Sequence, residues 1–480
     1  MNTIILHPTD TLFFRDGRPM GGAHSGHGAA WPLPHVLDSA LHAALWRGGF
    51  ESKSYGHGQG DSHYFGALTN VGPFPVHSNA AGDHWFFPRP ADACTPGSTS
   101  VTHQPSASVT GDFSSLAAPL RYGVLSGIEA SKDEPEDWWD LAAWDAYLHQ
   151  SSRKPGLVHD RVIFATEHSY GIAIDPFTGT AGQGEVEGKI YSAQYLRLRE
   201  DSEERWGLGL LAACPDKGRD GKAHGQIRPD LLHDLFHQSD GKETVLVGGQ
   251  QRQCSVEFYS ATNGAGQGFL PLPTGVTERF PEGTIDGEKC WLVKWVLLTP
   301  AIWPEIESVK ADGAAQNPHP GGWLPNWVYA DWDVGLNSVT SNHANGSVML
   351  KLRKGQVQRK IDPATGRPVR QSEVIDIAAR LVAAIVPKPV LVSGWTVHRI
   401  ASGDDEGAKH THLAVPAGAV YYFAARSKTD AENLAAALNW HGKDSYSTIK
   451  NRRSTLMGEK GFGLGVCGTW QFHRGKLPHN

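Results

Sequence analysis

The sequence has few cysteines, and they form no recognisable pattern. Five occur among the 480 residues, namely Cys94, Cys214, Cys254, Cys290 and Cys467. They are scattered and odd in number, and no Cys-x-x-Cys pair is present, which argues against a zinc knuckle or a disulfide framework. Isolated thiols of this kind are typical of a protein in a reducing cytoplasm.

Long apolar runs are also missing. No stretch reaches the roughly 18 apolar residues that a membrane-spanning helix requires. Residues 1–14 lack the basic start and the apolar run of a secretory leader. We therefore expect a cytoplasmic protein with no membrane contact.

The chain lacks an excess of positive charge. Its formal net charge is −6, whereas a free-standing nucleic-acid-binding protein is usually basic. Any contact with nucleic acid should then be local and shared with partner proteins. Three basic clusters could supply it, although each could equally be a solvated face: residues 351–354, Arg359-Lys360 with Arg367 and Arg370, and residues 450–453.

Catalytic and metal-binding motifs are not evident either. The sequence contains neither G-x-S-x-G nor a Walker sequence. Among its 24 histidines, His410 and His412 and the spread of His24, His27, His57 and His63 have no cysteine or carboxylate companions at ligand spacing. We expect no metal, no cofactor and no catalytic residue.

What the chain does have is enough apolar sequence for more than one core. Hydrophobic residues make up 40% of it, including 16 tryptophans, and 480 residues exceed what one core usually supports. The 55 glycines and 30 prolines indicate long, ordered loops. We predict an α+β protein of two domains, residues 1–288 and 289–480.

Residues 289–480 follow a βαββαβ order. Strands are predicted at 289–299, 390–399, 413–424 and 469–472. One helix follows Ser372, because Val374, Ile377 and Leu381 fall on one helical face. A capping box at 429–432 opens the second helix, which runs to Asn439. This order is the ferredoxin-like signature, which RRM-like RNA-binding sheets share.

We interpret residues 1–288 as a second, heavily decorated copy. A strand at 3–6 precedes an amphipathic helix at 36–46, and short strands follow at 162–164, 171–175, 193–199 and 208–212. Insertions are predicted at about 48–120, as irregular loop, and at about 130–160, with a Trp-rich helix at 137–149. Near the end of this half, a strand at 244–247 runs into a Gly248-Gly249 turn, and the second half has a glycine-rich stretch in the corresponding place.

Two arginines flank a tight turn near the N-terminus. In Arg15-Asp16-Gly17-Arg18, two guanidinium forks on one turn can clamp phosphates. Without a ligand, the same residues would form an ordinary surface turn. The motif alone does not decide between these interpretations.

A tryptophan and an arginine share one side of a predicted strand. Trp395 and Arg399 have the same parity, and an aromatic ring with a guanidinium group is a base-binding pair. Trp395 would also suit a protein core.

The chain ends in a ladder of glycines over 461–468. Gly461, Gly463 and Gly465 alternate, so in a strand they would all face one side. A side without side chains lets another backbone approach closely. That backbone is either RNA or this protein's own chain.

Taken together, these motifs resemble a known family. The chain is similar to the RAMP-superfamily subunit that is third in the Cmr series of type III-B CRISPR interference complexes. The resemblance rests on residues 8–19, Trp31-Pro32-Leu33-Pro34, residues 171–175, residues 248–252, Ser393-Gly394-Trp395, residues 415–421 and residues 461–470. One departure is Gln250, where the family often has an acidic residue.

The resemblance implies two ferredoxin-like RAMP domains and a subunit without catalytic activity. It also implies that the subunit holds the 5′ repeat-derived handle of the CRISPR RNA. Its neighbours in this antiviral ribonucleoprotein would be the large polymerase-like subunit and the backbone RAMP subunit. We expect Arg15, Arg18 and Arg252 to contact handle phosphates.

Two other functions stay open. Some RAMP relatives process precursor RNA as metal-independent endonucleases with a histidine acid or base, and His398 and His24 would be the candidates here. A protein scaffold that never touches RNA is the other. RNA co-purification, and a cleavage assay with added precursor RNA, would separate the three.

Overall fold

The computed structural model describes thirteen segments of the chain: residues 1–14, 31–50, 65–111, 120–126, 133–172, 190–215, 230–238, 244–260, 269–308, 316–330, 344–361, 368–396 and 407–474. They form a mixed α/β structure with mostly antiparallel sheets and few helices. Among these residues, no helix is both long and apolar enough to cross a membrane.

The N-terminal half contains twelve strands and four helices within the described ranges. The strands are β1 (Asn2–Pro8), β2 (Thr69–Asn79), β3 (Gly82–Pro88), β4 (Gln104–Thr110), β5 (Tyr122–Leu125), β6 (Trp138–Asp140), β7 (Leu157–Val158), β8 (Phe164–Ile172), β9 (Ile190–Leu198), β10 (Arg205–Ala213), β11 (Thr244–Val247) and β12 (Arg252–Tyr259). The helices are α1 (Pro34–Arg47), α2 (Leu141–His149), α3 (Asp160–Ile163) and α4 (Leu231–Gln238), and a 3-10 turn spans Gly249–Gln251.

Eight of these strands form one antiparallel sheet in the order β11-β12-β1-β10-β2-β3-β6-β7. Helix α1 begins at Pro34, whose ring fits a first helical position. It buries Leu37, Leu41 and Leu45, spaced one turn apart, against β1 residues that include Ile4. The predicted strands at 3–6 and 208–212 and the helix at 36–46 are confirmed.

The prediction of an irregular insertion at 48–120 is wrong for β2, β3 and β4. Strand β2 pairs with β10 in the centre of the sheet although it contains Pro73 and Pro75. Proline lacks an N–H group and argues against an inner strand. The pairing of β2 with β10 changes register between Gly209 and Leu211. Pro73 lies at this irregular position, opposite Leu210, where no regular pair is made.

The Trp-rich segment is also divided differently. Trp138 and Trp139 lie in strand β6, and the helix begins only at Leu141. The Asp140 carboxylate accepts a hydrogen bond from the Ala143 backbone N–H and so caps the helix. Residue Val162, predicted to lie in a strand, is in helix α3.

The C-terminal half contains eleven strands and one helix within the described ranges. The strands are β13 (Glu282–Ile285), β14 (Glu288–Leu297), β15 (Lys351–Ile361), β16 (Pro368–Asp376), β17 (Ala379–Ile385), β18 (Val390–Val392), β19 (Trp395–Thr396), β20 (Gly407–Ala408), β21 (His412–Ala414), β22 (Val420–Ala425) and β23 (Gly465–Thr469), and the helix is α5 (Lys428–Leu438). The main sheet has the order β13-β14-β22-β17, and β23 pairs with β14 on the same side as β13.

The helix predicted after Ser372 is wrong, because its residues form β16 and β17. Val374 and Leu381 would share a helical face, yet Val374 is 50% exposed and Leu381 is fully buried. The β-branched residues of this stretch favour strands, and the helical spacing of its apolar residues is a coincidence. Helix α5 is confirmed, although its N-cap is Ser427, whose hydroxyl accepts from the Asp430 N–H.

The two halves repeat one order of four antiparallel strands. In each half, a crossover joins the first strand to the second, and a helix precedes the fourth. Side by side in the sheet, the strands have the order fourth, first, third, second. This order is β12-β1-β10-β2 in the N-terminal half and β23-β14-β22-β17 in the C-terminal half. This agrees with the interpretation of an internal duplication. The first crossover of the C-terminal half has no helix among its described residues, so the ferredoxin-like assignment stays a prediction.

The halves share a core. Ile5 and Leu211 of the N-terminal sheet belong to the same hydrophobic cluster as Leu292 and Tyr422 of the C-terminal sheet. Beside it, Lys294 donates to the buried Asp92 carboxylate at 2.9 Å. The domain boundary at residue 288 stays a prediction, and β13, which precedes it, is part of the C-terminal sheet.

Candidate RNA interface

The predicted site residues divide into those that the structure describes and those that it does not. Arg15, Asp16, Gly17, Arg18 and Arg399 lie outside the described residues. Trp395 is in β19, and only its backbone is described. The described candidates are therefore the two glycine stretches and Arg252.

The first glycine stretch is an exposed turn between β11 and β12. Gly248 has a φ of +70°, and Gln250 and Gln251 are also left-handed, at +60° and +49°. Left-handed backbone at non-glycine residues costs energy and is found preferentially at functional sites. The turn is thus locally strained, and its four residues face solvent.

This turn packs on the chain that leads to the arginine turn. The Gly249 N–H donates to the Phe13 carbonyl at 2.8 Å. A Cβ at Gly248 would lie 2.5 Å from the same oxygen, and a Cβ at Gly249 would meet the Phe13 ring at 2.5 Å. Both glycines are needed for this close contact. The contact therefore involves the residue two positions before Arg15 in the sequence, while the predicted phosphate clamp itself is outside the described residues.

Arg252 is held in place directly after the turn. Its guanidinium group donates to the Gln250 side chain at 2.8 Å and lies over the Tyr195 ring, 5.1 Å from its centre. The Gln250 amide also donates to the Tyr195 hydroxyl at 3.0 Å. The Phe13 ring also packs on Tyr195, with 5.5 Å between the two ring centres. The structure therefore places Gly248, Gly249 and Arg252 on one exposed turn and the start of the strand that follows it.

Sequence reasoning missed the strand that completes this surface. Tyr195 and Arg197 in β9 point to the same side, and Arg197 forms ion pairs with Asp10 and Glu167. Their alternation along the strand was the only available signal, because their partners are distant in sequence. We call Phe13, Tyr195, Arg197, the turn 248–251 and Arg252 the glycine-turn surface.

The second glycine stretch differs from the prediction. Gly461 and Gly463 precede β23 and have φ values of +94° and +77°, so they do not alternate along a strand with Gly465. All three are buried. A Cβ at Gly461 would meet the Asn70 carbonyl at 3.0 Å, and one at Gly463 would collide with the Ser454 backbone nitrogen. The close approach is real, but its partner is this protein's own chain.

The two glycine stretches nevertheless occupy equivalent places. Gly463 donates its N–H to the Pro300 carbonyl at 2.7 Å, just as Gly249 donates to Phe13. Each carbonyl follows the first strand of its half. In the C-terminal half, α1 and β2 of the other half cover the stretch, through Pro34 and Asn70. Of the two equivalent places, only the N-terminal one is open to solvent.

The basic cluster at 450–453 is largely structural. Arg453 donates through Nε to the Ala437 carbonyl at 2.8 Å, near the end of α5, and Arg452 donates to the Asn70 carbonyl at 3.4 Å. Burial lowers the pKa of each guanidinium to about 10. The other two clusters lie on the β15-β16 hairpin, apart from Arg367, which is outside the described residues. There Lys351 pairs with Asp376 at 3.0 Å.

A cavity of about 540 Å³ lies between the halves. Its wall is mainly apolar and includes Phe14, Trp31, Trp138, Thr299 and Ser393. Phe14 also touches the glycine turn, since a Cβ at Gly248 would lie 3.0 Å from its ring. The glycine-turn surface and the cavity therefore border one another.

Within the described ranges, no group of three or more His, Cys, Asp or Glu residues could hold a metal ion. His24 and His398, the candidates for an endonuclease, are outside those ranges. Burial lowers the pKa of two described histidines, His35 and His441, to about 4. Both rings are therefore neutral at pH 7.

The chain is a mixed α/β protein of two topologically equivalent halves, with an arginine-bearing glycine turn open to solvent in one of them. Residues 4–470 match the family model described as CRISPR-associated protein (Cas_Cmr3). The chain belongs to the Cas_Cmr3 family, and the resemblance seen in the sequence motifs is confirmed.

Other comparisons add little to that assignment. No curated protein matches the sequence significantly. A structure of the type III-B Cmr-beta complex bound to cognate target RNA and AMPPnP contains a chain with 12% identity and a TM-score of 0.33. A second, of the complex bound to cognate target RNA, gives 13% and 0.34. In both, the match covers 88% of this chain and 86% of the other. Similarity at this level supports no argument, so the assignment rests on the family model.

Proposed function

We propose that this protein is the Cmr3-type subunit of a type III-B CRISPR complex, and that it holds the 5′ repeat-derived handle of the CRISPR RNA at the glycine-turn surface. It contributes no catalytic residue. Its partners are the large polymerase-like subunit and the backbone RAMP subunit, in a cytoplasmic ribonucleoprotein built from ferredoxin-like RAMP domains.

One observation carries this proposal. The Gly248-Gly249 turn packs on Phe13, and Arg252 follows the turn directly. Because Phe13 precedes Arg15 by two residues in the sequence, we expect Arg15, Arg18 and Arg252 to act on the same stretch of RNA. Guanidinium groups are the preferred partners of phosphates because their paired N–H donors match two phosphate oxygens. The net charge of −6 is compatible with an RNA site that is local and completed by partner subunits.

Arg252→Ala tests the site. Each phosphate contact contributes about 0.7 to the slope of log affinity against log salt for single strands. The substitution should weaken binding of CRISPR RNA to the full-length protein and reduce that slope by about this amount. Arg205→Ala is a matched control, because Arg205 also pairs with a carboxylate on the same sheet but lies on its opposite face. Weaker binding with an unchanged slope would contradict a phosphate contact.

The same preparations test the absence of catalysis. The protein should co-purify with RNA when isolated with its partners, and it should not cleave added precursor RNA by itself. Asp16→Ala and His398→Ala should leave target-RNA cleavage by the assembled complex unchanged per bound RNA. Loss of cleavage at full RNA occupancy would reveal an active site in this subunit.

A further inference from the structure

One carboxylate bridges two arginines on the glycine-turn surface. Arg197 donates through Nη2 to Asp10 Oδ1 at 2.8 Å, and the other Asp10 oxygen lies 3.7 Å from Arg252 Nη1. Arg197 also pairs with Glu167 on the adjacent strand β8. Asp10 therefore sits between the cations of β9 and β12, although it belongs to neither strand.

The charges of this group cancel. Two arginines, Arg197 and Arg252, face two carboxylates, Asp10 and Glu167. Hydrogen bonding from Arg197 lowers the pKa of Asp10, so its carboxylate is ionised at neutral pH. The Asp10 side chain is 56% exposed and that of Arg197 45%. Exposed ion pairs are weak because water competes for both partners, so this carboxylate is readily exchanged for another anion.

We propose that Asp10 occupies, in the RNA-free protein, the position of one backbone phosphate of the bound RNA, and that Arg197 is a further phosphate-binding residue. This inference rests on the proposed function, since it takes RNA to bind at the glycine-turn surface. A phosphodiester carries one negative charge and two outer oxygens, as a carboxylate does. A guanidinium group can donate paired hydrogen bonds to either anion. When RNA binds, its phosphate replaces the Asp10 carboxylate on Arg197 and Arg252, and Asp10 turns to solvent.

Removing the negative charge of Asp10 should strengthen RNA binding. In Asp10→Asn, Arg197 and Arg252 face one carboxylate, Glu167, so the group carries one net positive charge and no carboxylate bridges the two arginines. RNA should bind about three- to tenfold more tightly at low salt, and the gain should shrink as salt screens the arginines. If Asp10 instead positions the arginines for RNA, the same substitution weakens binding.

Fluorescence anisotropy with the full-length protein measures this. The probes are a CRISPR RNA carrying its handle, labelled with fluorescein at the 3′ end, and an oligouridine of equal length. Asp10→Asn should tighten both, Asp10→Glu should bind like the wild type, and Arg197→Ala should weaken both and reduce the salt slope by about 0.7. Unchanged or weaker binding by Asp10→Asn, or normal binding by Arg197→Ala, would overturn the inference.

Two comparisons separate this inference from its premise. Glu257→Gln removes a carboxylate from the Arg205 pair on the opposite face of the sheet. Equal tightening by this variant would show a general charge effect and contradict a role for Asp10. If Arg252→Ala leaves RNA binding and its salt slope unchanged, the proposed function fails. If Arg252→Ala weakens binding and Asp10→Asn does not tighten it, only the inference fails.

Discussion

Single residues decide how closely the chain can approach itself before its last strand. Gly463 has a φ of +77°, and a Cβ there would collide with the Ser454 backbone. Gly463→Ala should therefore lower the free energy of unfolding by about 2 kcal/mol or more, through backbone strain and overpacking together. Thermal or urea unfolding of the purified protein measures it.

Gly287 provides the matched control for this substitution. It has nearly the same φ, +80°, but nothing lies within 4 Å of the position its Cβ would take. Gly287→Ala should show the backbone cost alone, and Gly463→Ala should cost distinctly more. Equal effects of the two substitutions would contradict the close packing of Gly463.

A buried histidine makes stability depend on pH. The His441 Nε2 accepts the Gly275 N–H at 3.0 Å, and burial lowers its pKa from 6.5 to about 4. Below pH 6.5 this histidine is protonated in the unfolded chain, whereas in the folded protein it stays neutral down to about pH 4. The free energy of unfolding therefore falls as the pH drops through this window. The loss is up to about 3 kcal/mol.

Urea unfolding between pH 7 and pH 4.5 tests this sign. His441→Gln keeps an acceptor for Gly275 and removes one titration, so it should reduce the pH dependence and leave the part that His35 contributes. The exposed His410→Gln should not change it. A wild-type profile that rises toward pH 4.5, or one that His441→Gln leaves unchanged, would contradict the assignment.

At the scale of elements, β16 and β17 give the sharpest test of the secondary structure. Leu381→Ala should lower the free energy of unfolding by about 2–5 kcal/mol, because Leu381 packs in the core with Leu434 and Leu438. Val374→Ala should change it by about 0.5 kcal/mol or less, since Val374 lies half exposed on the hairpin. A helix would have buried both residues, so comparable losses would contradict the two strands.

The elements also show what the sequence could predict. Helix α5 and strands β1, β10 and β14 were predictable because their caps and apolar patterns are local. Strand β2 was not, because it contains two prolines, one of which, Pro73, lies at a register shift against β10. The glycine turn itself was visible as Gly248-Gly249. Its setting, with Tyr195, Arg197 and Asp10, depends on contacts between distant segments, which no local pattern encodes.

At the scale of the whole molecule, the two halves have equivalent strand orders but are covered unequally, which leaves one glycine stretch open to solvent. Both halves place a glycine stretch against the chain that follows their first strand. Contacts of α1 and β2 bury the C-terminal stretch, while the N-terminal turn stays exposed. The sequence suggested an RNA role for both stretches. Only the packing of the halves distinguishes them, and it favours the turn at 248–251.

Crosslinking the RNA within the assembled complex tests the central claim most directly. CRISPR RNA carrying 4-thiouridine in its 5′ handle would be incorporated, irradiated and digested, and the crosslinked peptides identified by mass spectrometry. We expect handle crosslinks to peptides that contain residues 248–252 or Tyr195 and Arg197. Crosslinks from the handle to this subunit only at distant segments, such as the β15-β16 hairpin, or to partner subunits alone, would contradict the account.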